Sequence, residues 1–219
     1  MGLLDDLKKK ADAVRTHDSL QRSLQAENTQ QVEDAMRRSF KYLHDLLEQL
    51  KVLKPVNPIV FALPGIGEMR DLAFTDSSID YRTMKVADKD HIERVELYIM
   101  WSLPSDLVVE KDMPNTAEKI RQQLYAANVK FSEDVKKSPQ GTVMLTRFRI
   151  PKTVRVDVAL RADYARGRLT AVTKNLLRTG GDDFAFPAGD CSEKLLEDLA
   201  LTLIGQPSEF RRYRTVLTG

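Results

Sequence analysis

The spacing of hydrophobic residues divides the chain into a helical first quarter and a longer part dominated by strands. Over residues 3–53 the apolar positions recur every three or four residues, as they do on one face of an α-helix. No proline or glycine interrupts this stretch before Pro55. The pattern predicts a short helix near the start, a break at which Asp18 or Ser19 caps a second helix, and a long amphipathic helix that ends before Pro55.

The second half of the helical segment carries one broad apolar face. Its residues lie three, four or seven positions apart, so they share one side of the helix. Such a face must be buried, either on the chain's own sheet or against a second copy in a coiled-coil-like dimer. The seam predicted for self-association consists of Met36, Phe40, Leu43, Leu47 and Leu50, and packing on the sheet is the alternative.

From about residue 69 the hydrophobic period changes from 3.6 to two, which is typical of half-buried strands. Residues 94–103 and 153–162 both alternate in this way, and glycine-marked turn residues at 162–167 lead into a returning strand over 168–177. Two further helices are predicted, one opening at Pro114 and the other over residues 192–204.

These elements predict an α+β fold in which a long N-terminal helical segment precedes a mostly antiparallel β-sheet with two further helices. The predicted division is a helical segment over residues 1–54, a connector rich in proline and glycine over 55–68, and a sheet domain over 69–219.

Composition narrows the classes of protein that this chain can belong to. Its 219 residues are 42% hydrophobic and 30% charged, which describes a soluble globular protein. The 34 basic and 32 acidic residues give a net charge of +2, so binding to nucleic acid is disfavoured. The single cysteine cannot form an internal disulfide, and the N-terminal sequence lacks the apolar core of a signal peptide. A cytoplasmic location follows, with at most weak membrane contact by the first helix.

One short segment contains the residues that most resemble an active site. Residues 178–191 read RTGGDDFAFPAGDC, and they include Asp182, Asp183 and the cysteine at position 191. Glycine next to aspartate is typical of a turn, while Asp190 or Ser192 suits the N-cap of the helix that follows. The three histidines are scattered without ligand spacing. We therefore predict no catalytic residue, no metal site and no cofactor.

A concentration of basic residues over 141–177 is the feature that most favours a binding function. Alternation places these side chains on the polar faces of the predicted strands, where they would form a basic face that binds an acidic protein or a phosphate-bearing ligand. The other interpretation is that they only keep an exposed sheet soluble. The predicted residues are Arg147, Arg149, Arg155, Arg161, Arg168 and Lys174.

The sequence thus favours a non-catalytic interaction or assembly protein, dimeric through its N-terminal helices, that presents a basic sheet face to an anionic partner or ligand. The alternative is a small-molecule-binding or enzymatic α+β domain with a pocket between the sheet and its helices.

Overall fold

The computed structural model describes residues 3–213 apart from Pro64 and Ala87, and it describes the side chains from Lys8 onward with the exception of Lys9. A single helix, α1, spans Leu3–Leu53. The predicted break near Asp18 is wrong, because nothing there interrupts the backbone ladder and the Thr16 hydroxyl donates to the carbonyl of Asp12 within the helix. The chain leaves α1 at Lys54, which adopts a positive φ of 45° before the first strand.

Strands make up most of the remaining described chain, with two more helices between them. The strands are β1 (Val56–Asn57), β2 (Phe61–Leu63), β3 (Gly67–Met69), β4 (Leu72–Val86), β5 (Lys89–Ser102), β6 (Leu107–Lys111), β7 (Ser132–Lys137), β8 (Val143–Ile150), β9 (Thr153–Asp163), β10 (Arg168–Lys174) and β11 (Gly181–Pro187). The helices are α2 (Pro114–Ala126), between β6 and β7, and α3 (Glu193–Leu203), after β11. The predicted α+β class is confirmed.

The strands form one large sheet and two small ones, and all pairings are antiparallel. The large sheet has six strands in the order β1-β4-β5-β9-β10-β11. A three-stranded sheet has the order β6-β8-β7, and β2 pairs with β3 in a separate hairpin. The ladder between β5 and β9 ends where Ser102 faces Thr153, and the same two chain segments pair again as β6 and β8. The small sheet therefore continues the central strands of the large one.

The core lies between α1, α3 and one face of the six-stranded sheet. Alternate residues of β5 and β9 are buried there, which confirms the period-two pattern of the sequence. The second half of α1 contributes buried apolar side chains, and α3 begins at Ser192, whose hydroxyl accepts from the Leu195 amide at 3.3 Å. The helical segment and the sheet thus share one hydrophobic core. The buried residues that β5 and β9 contribute include Leu97, Ile99, Trp101, Val156, Val158 and Leu160.

The first half of α1 extends beyond this core. Asn28 is the first residue of the helix with a long-range contact, since its side-chain amide donates to the carbonyl of Ala165 at 3.4 Å. All the described side chains from Lys8 to Glu27 are exposed. At 1.5 Å per residue, residues 3–27 extend about 37 Å from the sheet.

Candidate binding surface

The face of the six-stranded sheet that points away from α1 is the largest polar surface that the strands build. On β4, β5, β9 and β10 the side chains that alternate with the core residues point to this side. We call this surface the outer face. Its charged members are Asp76, Asp80, Arg82, Arg94, Glu96, Arg155, Asp157, Arg161, Asp163, Arg168, Lys174 and Asp183.

The structure divides the six predicted basic residues between two sheets. Arg155, Arg161, Arg168 and Lys174 lie on the outer face, whereas the arginines at 147 and 149 lie on β8 in the three-stranded sheet. The reason is the bend after Ile150, where the chain passes from one sheet to the other. The six side chains therefore do not form one continuous surface.

Three of the predicted residues are also neutralised by acidic neighbours, one of which, Glu110, lies outside the sequence interval 141–177. Arg147 pairs across the strands with Glu110 at 2.6 Å. Elsewhere the partner lies nearby on β9: Arg168 contacts Asp163 at 3.1 Å, and Arg155 contacts Asp157 at 2.6 Å. Since β4, β5 and β11 bring further carboxylates to the outer face, its six basic and six acidic side chains balance. The outer face as a whole is therefore not basic, and only a part of it can carry an excess of positive charge.

A row of three arginines crosses the outer face. Arg82 on β4 lies directly opposite Arg94 on β5, and Arg94 lies directly opposite Arg161 on β9. Directly opposed residues in antiparallel strands have their Cβ atoms about 5 Å apart, and like charges in such positions repel each other. We call these three residues the arginine row.

The arginine row is only partly neutralised. Arg94, with 24% of its side chain exposed, contacts Glu96 at 3.3 Å. Its Nε–H group is buried and has no acceptor among the described residues. In the described part of the chain no carboxylate lies within 4 Å of the guanidinium groups of Arg82 or Arg161. The three guanidinium groups thus face solvent in a line, and only that of Arg94 has a carboxylate partner.

The sequence analysis identified Arg161 but not Arg82 or Arg94. Both of the missed residues lie outside the basic interval, in the long hairpin formed by β4 and β5. A register for that hairpin would have revealed the row, but a bulge between Arg82 and Thr83 shifts the pairing by one residue. The hydrophobic pattern alone does not predict such a shift.

The residues predicted for self-association lie inside the chain's own core. Met36, Leu43, Leu47 and Leu50 are buried against the sheet, and Phe40 packs edge-on against the Tyr81 ring with 4.9 Å between centroids. This is the intramolecular packing that the sequence left open as the alternative. Because these side chains are already covered within one chain, a self-association surface has to use other residues of the helix.

A buried polar cluster that the sequence analysis missed joins α1 to the sheet. The Glu33 carboxylate, only 7% exposed, accepts from the Ile92 amide at 3.0 Å and from the Tyr164 hydroxyl at 2.9 Å. The His91 ring lies 3.2 Å from the same oxygen, and Arg37 contacts the other one at 2.5 Å. No local signal marks this cluster, since Glu33 lies 58 residues from His91 and 131 residues from Tyr164 along the chain.

The titration of Glu33 follows from these contacts. Burial by itself raises the pKa of a carboxyl, but the Ile92 and Tyr164 hydrogen bonds and the charge of Arg37 outweigh it, so the pKa of Glu33 lies below its ordinary value of 4.5. Burial and the neighbouring carboxylate raise the pKa of Tyr164. The ionised cluster is therefore a structural connection and not a proton donor at neutral pH.

The segment 178–191 is structural in the described chain. The turn itself runs from Asn175 to Gly180, while Asp182 and Asp183 belong to β11 and the former contacts Arg178 at 3.3 Å. Cys191 is buried with its Sγ atom 3.3 Å from the Ser39 hydroxyl. Burial raises the pKa of its thiol, which opposes activation as a nucleophile.

Among the described residues, no group of three or more His, Cys, Asp or Glu side chains is placed to hold a metal ion, and no helix has the length and hydropathy needed to cross a membrane. Comparisons with protein-family models, with curated proteins and with solved structures find no match to this chain. The structure is that of an α+β protein with a projecting helix and a polar outer sheet face.

Proposed function

We propose that this chain is a non-catalytic interaction protein that self-associates through the projecting half of α1 and presents the arginine row to an anionic group of a partner. The observation that carries the proposal is the projecting helix. Most helical stability in proteins comes from packing of one face, and the described side chains of the projecting half before Asn28 are all exposed. A second helix beside it would supply that packing.

The side chains of the projecting half suit a second copy of the same helix. Three large apolar residues are well exposed there: Val14 (60%), Leu20 (61%) and Leu24 (59%). Charges of both signs surround them, with lysines at 8 and 10 near the start and Glu27 near the end. In an antiparallel pairing Lys8 and Lys10 of one helix come near Glu27 of the other, so these charges of the two copies attract each other.

The experiment measures the mass of the full chain by sedimentation velocity over a range of concentrations. The triple variant Val14→Gln, Leu20→Gln, Leu24→Gln keeps helix-forming residues but removes the apolar contacts. We expect the parent chain to sediment as a dimer and the variant as a monomer. A parent chain that is monomeric at every concentration, or a triple variant that keeps the dimer mass, contradicts the proposal.

The other end of the same helix supplies a matched control. Val52 and Leu53 are also large, apolar and exposed, at 78% and 71%, but they lie next to the sheet and outside the projecting half. The double variant Val52→Gln, Leu53→Gln is expected to keep the mass of the parent chain. A loss of dimer in this control as well would show that the mass depends on general hydrophobicity and not on the proposed surface.

The anionic part of the proposal is supported by the unpaired guanidinium groups of the arginine row. Arginine binds phosphate and carboxylate oxygens with two parallel N–H donors, and three such groups in a line can contact a single multivalent anion. Bound anions would also relieve the repulsion between the opposed side chains. Pyrophosphate is a suitable probe because it carries several charges on a short frame.

The test titrates the full chain with pyrophosphate while calorimetry records binding. We expect Arg82→Gln and Arg161→Gln each to weaken the affinity about tenfold, the loss of roughly one charge-assisted hydrogen bond. Arg149→Gln is the control, since Arg149 is exposed on the three-stranded sheet away from the row. Equal losses in all three variants would mean that pyrophosphate binds to diffuse positive charge.

A further inference from the structure

A cleft lies at the end of the six-stranded sheet, where its central strands leave to form the small sheet. Its walls come from the β2–β3 hairpin, from residues 128–130 after α2, from the junction of β8 and β9, and from the turn between β10 and β11. The cleft has a volume of about 340 Å³, within the range of about 300–1,000 Å³ that is usual for small-molecule sites. It lies away from the arginine row, none of whose three residues lines it.

One wall of the cleft is apolar and built from ordered core residues. The side chains of Phe61 and Leu63 on β2, Met69 on β3 and Ile150 on β8 are at least 97% buried. They line the cleft together with the less buried Met100, Val129, Pro151 and Val154. The less buried side chains of this wall favour a ligand with an apolar body, because contact with them removes hydrocarbon surface from water on both sides.

The cleft also carries an excess of positive charge. Lys130, Arg155 and Lys174 line it, against the single carboxylate of Asp157. Arg155 already has partners within the chain. It contacts Asp157 at 2.6 Å, and its guanidinium carbon lies 4.2 Å from the centroid of the Tyr98 ring. In the described part of the chain neither lysine has an acidic side chain within 4 Å. Two ammonium groups are thus available to a ligand.

We propose that this cleft binds a small organic anion with an apolar body, of which a medium-chain carboxylate is the simplest representative. The hydrocarbon part lies against the less buried side chains of the apolar wall, Met100, Val129 and Val154, and the carboxylate faces Lys130 and Lys174. An inorganic anion satisfies the two lysines but leaves the apolar wall in contact with water. A neutral hydrocarbon covers the apolar wall but leaves the two lysines without an anionic partner. Only a ligand with both parts uses both features of the cleft.

This inference does not depend on the proposed function, since it concerns other residues and another ligand chemistry. The alternative that the sequence left open is also a small-molecule site, but the sequence predicts it between the sheet and its helices. The space beneath the sheet, between it and α1, is filled by core side chains. The cleft at the junction of the sheets is therefore where such a ligand has room.

The experiment titrates the full chain with hexanoate, octanoate and decanoate below their micelle concentrations, followed by calorimetry. Each buried methylene group is expected to tighten binding about fourfold, so each step of two carbons gives about a tenfold gain or more. Octylamine is the matched probe with the opposite charge, and we expect it to bind at least about tenfold more weakly than octanoate. Affinity that is independent of chain length, or equal for octylamine and octanoate, overturns the proposal.

Variants of the lysines and of the apolar wall locate the binding. Lys130→Gln and Lys174→Gln are each expected to weaken octanoate about fivefold, while Lys85→Gln, on the distant β4–β5 hairpin, leaves it unchanged. Val129→Trp fills the cleft from its edge and is expected to abolish binding without lowering the unfolding temperature. Unchanged octanoate affinity in both lysine variants, or in a folded Val129→Trp protein, overturns the assignment of this cleft.

The two proposals fail separately. Arg82→Gln and Arg161→Gln are expected to leave octanoate binding unchanged, and Lys130→Gln is expected to leave pyrophosphate binding unchanged. A protein that binds octanoate but neither dimerises nor binds pyrophosphate would support the cleft and contradict the proposed function. A protein that dimerises and binds pyrophosphate but does not bind octanoate would support the proposed function and contradict the cleft.

Discussion

At the scale of single residues, the most consequential side chain is Glu33. It is a charged residue inside the core, and burying a charge costs free energy unless partners compensate for it. Here the Ile92 amide, the Tyr164 hydroxyl and the charge of Arg37 do so, and the Tyr164 hydroxyl also lies 2.7 Å from the carbonyl of Ile92. The cluster fixes the position of α1 on the sheet at the point where the helix leaves it.

Glu33→Ala is expected to destabilise the fold by about 3 kcal/mol at neutral pH, because it leaves buried donors of the sheet without an acceptor. The measurement is the urea midpoint of unfolding. Glu48→Ala is the control, since Glu48 lies on the same helix but is half exposed and contacts only Lys51. An equal effect of the two substitutions would show that the loss reflects helix formation and not the buried cluster.

The parent chain and the Glu33→Ala variant are also expected to differ in how their stability depends on pH. Because the folded pKa of Glu33 lies below its ordinary value of 4.5, the folded state favours the ionised form. Its stabilising contribution is fully present above pH 4.5 and is lost as the pH falls through the lower, folded value. The difference in unfolding free energy between the parent chain and Glu33→Ala is therefore expected to shrink below pH 4.5. A difference that grows on acidification would contradict this cluster geometry.

At the scale of elements, the contact between α1 and the turn joining β9 to β10 marks where the helix becomes free of the sheet. A Cβ atom placed on Gly167 would lie 2.5 Å from the Oδ1 atom of Asn28, and its φ is +63°. Gly141 also has a positive φ, +85°, but has no neighbour within 4 Å of such a Cβ atom. The two glycines therefore share backbone strain and differ in crowding.

Gly141→Ala is expected to cost about 1–2 kcal/mol from left-handed strain alone. Gly167→Ala is expected to cost more, because its methyl group also displaces the Asn28 side chain. Thermal unfolding of both variants measures the difference, and Asn28→Ala combined with Gly167→Ala is expected to remove the extra loss. If the two single variants are equally destabilised, the helix does not contact this turn in solution.

The sequence predicts elements of this kind well where one physical signal dominates. Period-two alternation predicts β9, and the polar residues before α3 predict its start to within a few residues, because both depend on neighbours in the chain; of the two proposed N-caps it is Ser192 and not Asp190 that caps the helix. The arginine row depends on a bulged register between β4 and β5, and Glu33 depends on partners up to 131 residues away. The sequence predicts two helices in place of α1 because the polar residues in its middle resemble the boundary of a helix. In the structure these residues point into water and continue the helix.

At the scale of the whole molecule, the chain combines one large core with a helix that extends out of it. The second half of α1 melts with the sheet because it shares buried side chains with it. In the first half every described side chain before Asn28 is exposed, so this part lacks the packing that stabilises most helices in proteins. The molecule is therefore expected to unfold in two parts.

Two optical probes distinguish these parts. The fluorescence of Trp101, which is fully buried in the core, reports the sheet alone, while far-ultraviolet circular dichroism also reports the projecting helix. On dilution of the protein, the helical signal is expected to fall at a lower temperature than the fluorescence changes, with about 25 residues melting early. Coincident transitions at every protein concentration would mean that the projecting helix is stabilised within the single chain.

The direct pairing of Ser102 with Thr153 has a consequence for how this chain could be altered or could have arisen. Residues 103–152, which contain the small sheet and α2, leave and re-enter the six-stranded sheet at neighbouring positions. A tight two-residue turn could join β5 to β9 in their place. The segment is thus an insertion into a long hairpin, and it is the part of the chain that can be exchanged, lengthened or removed while the register of the central sheet is kept.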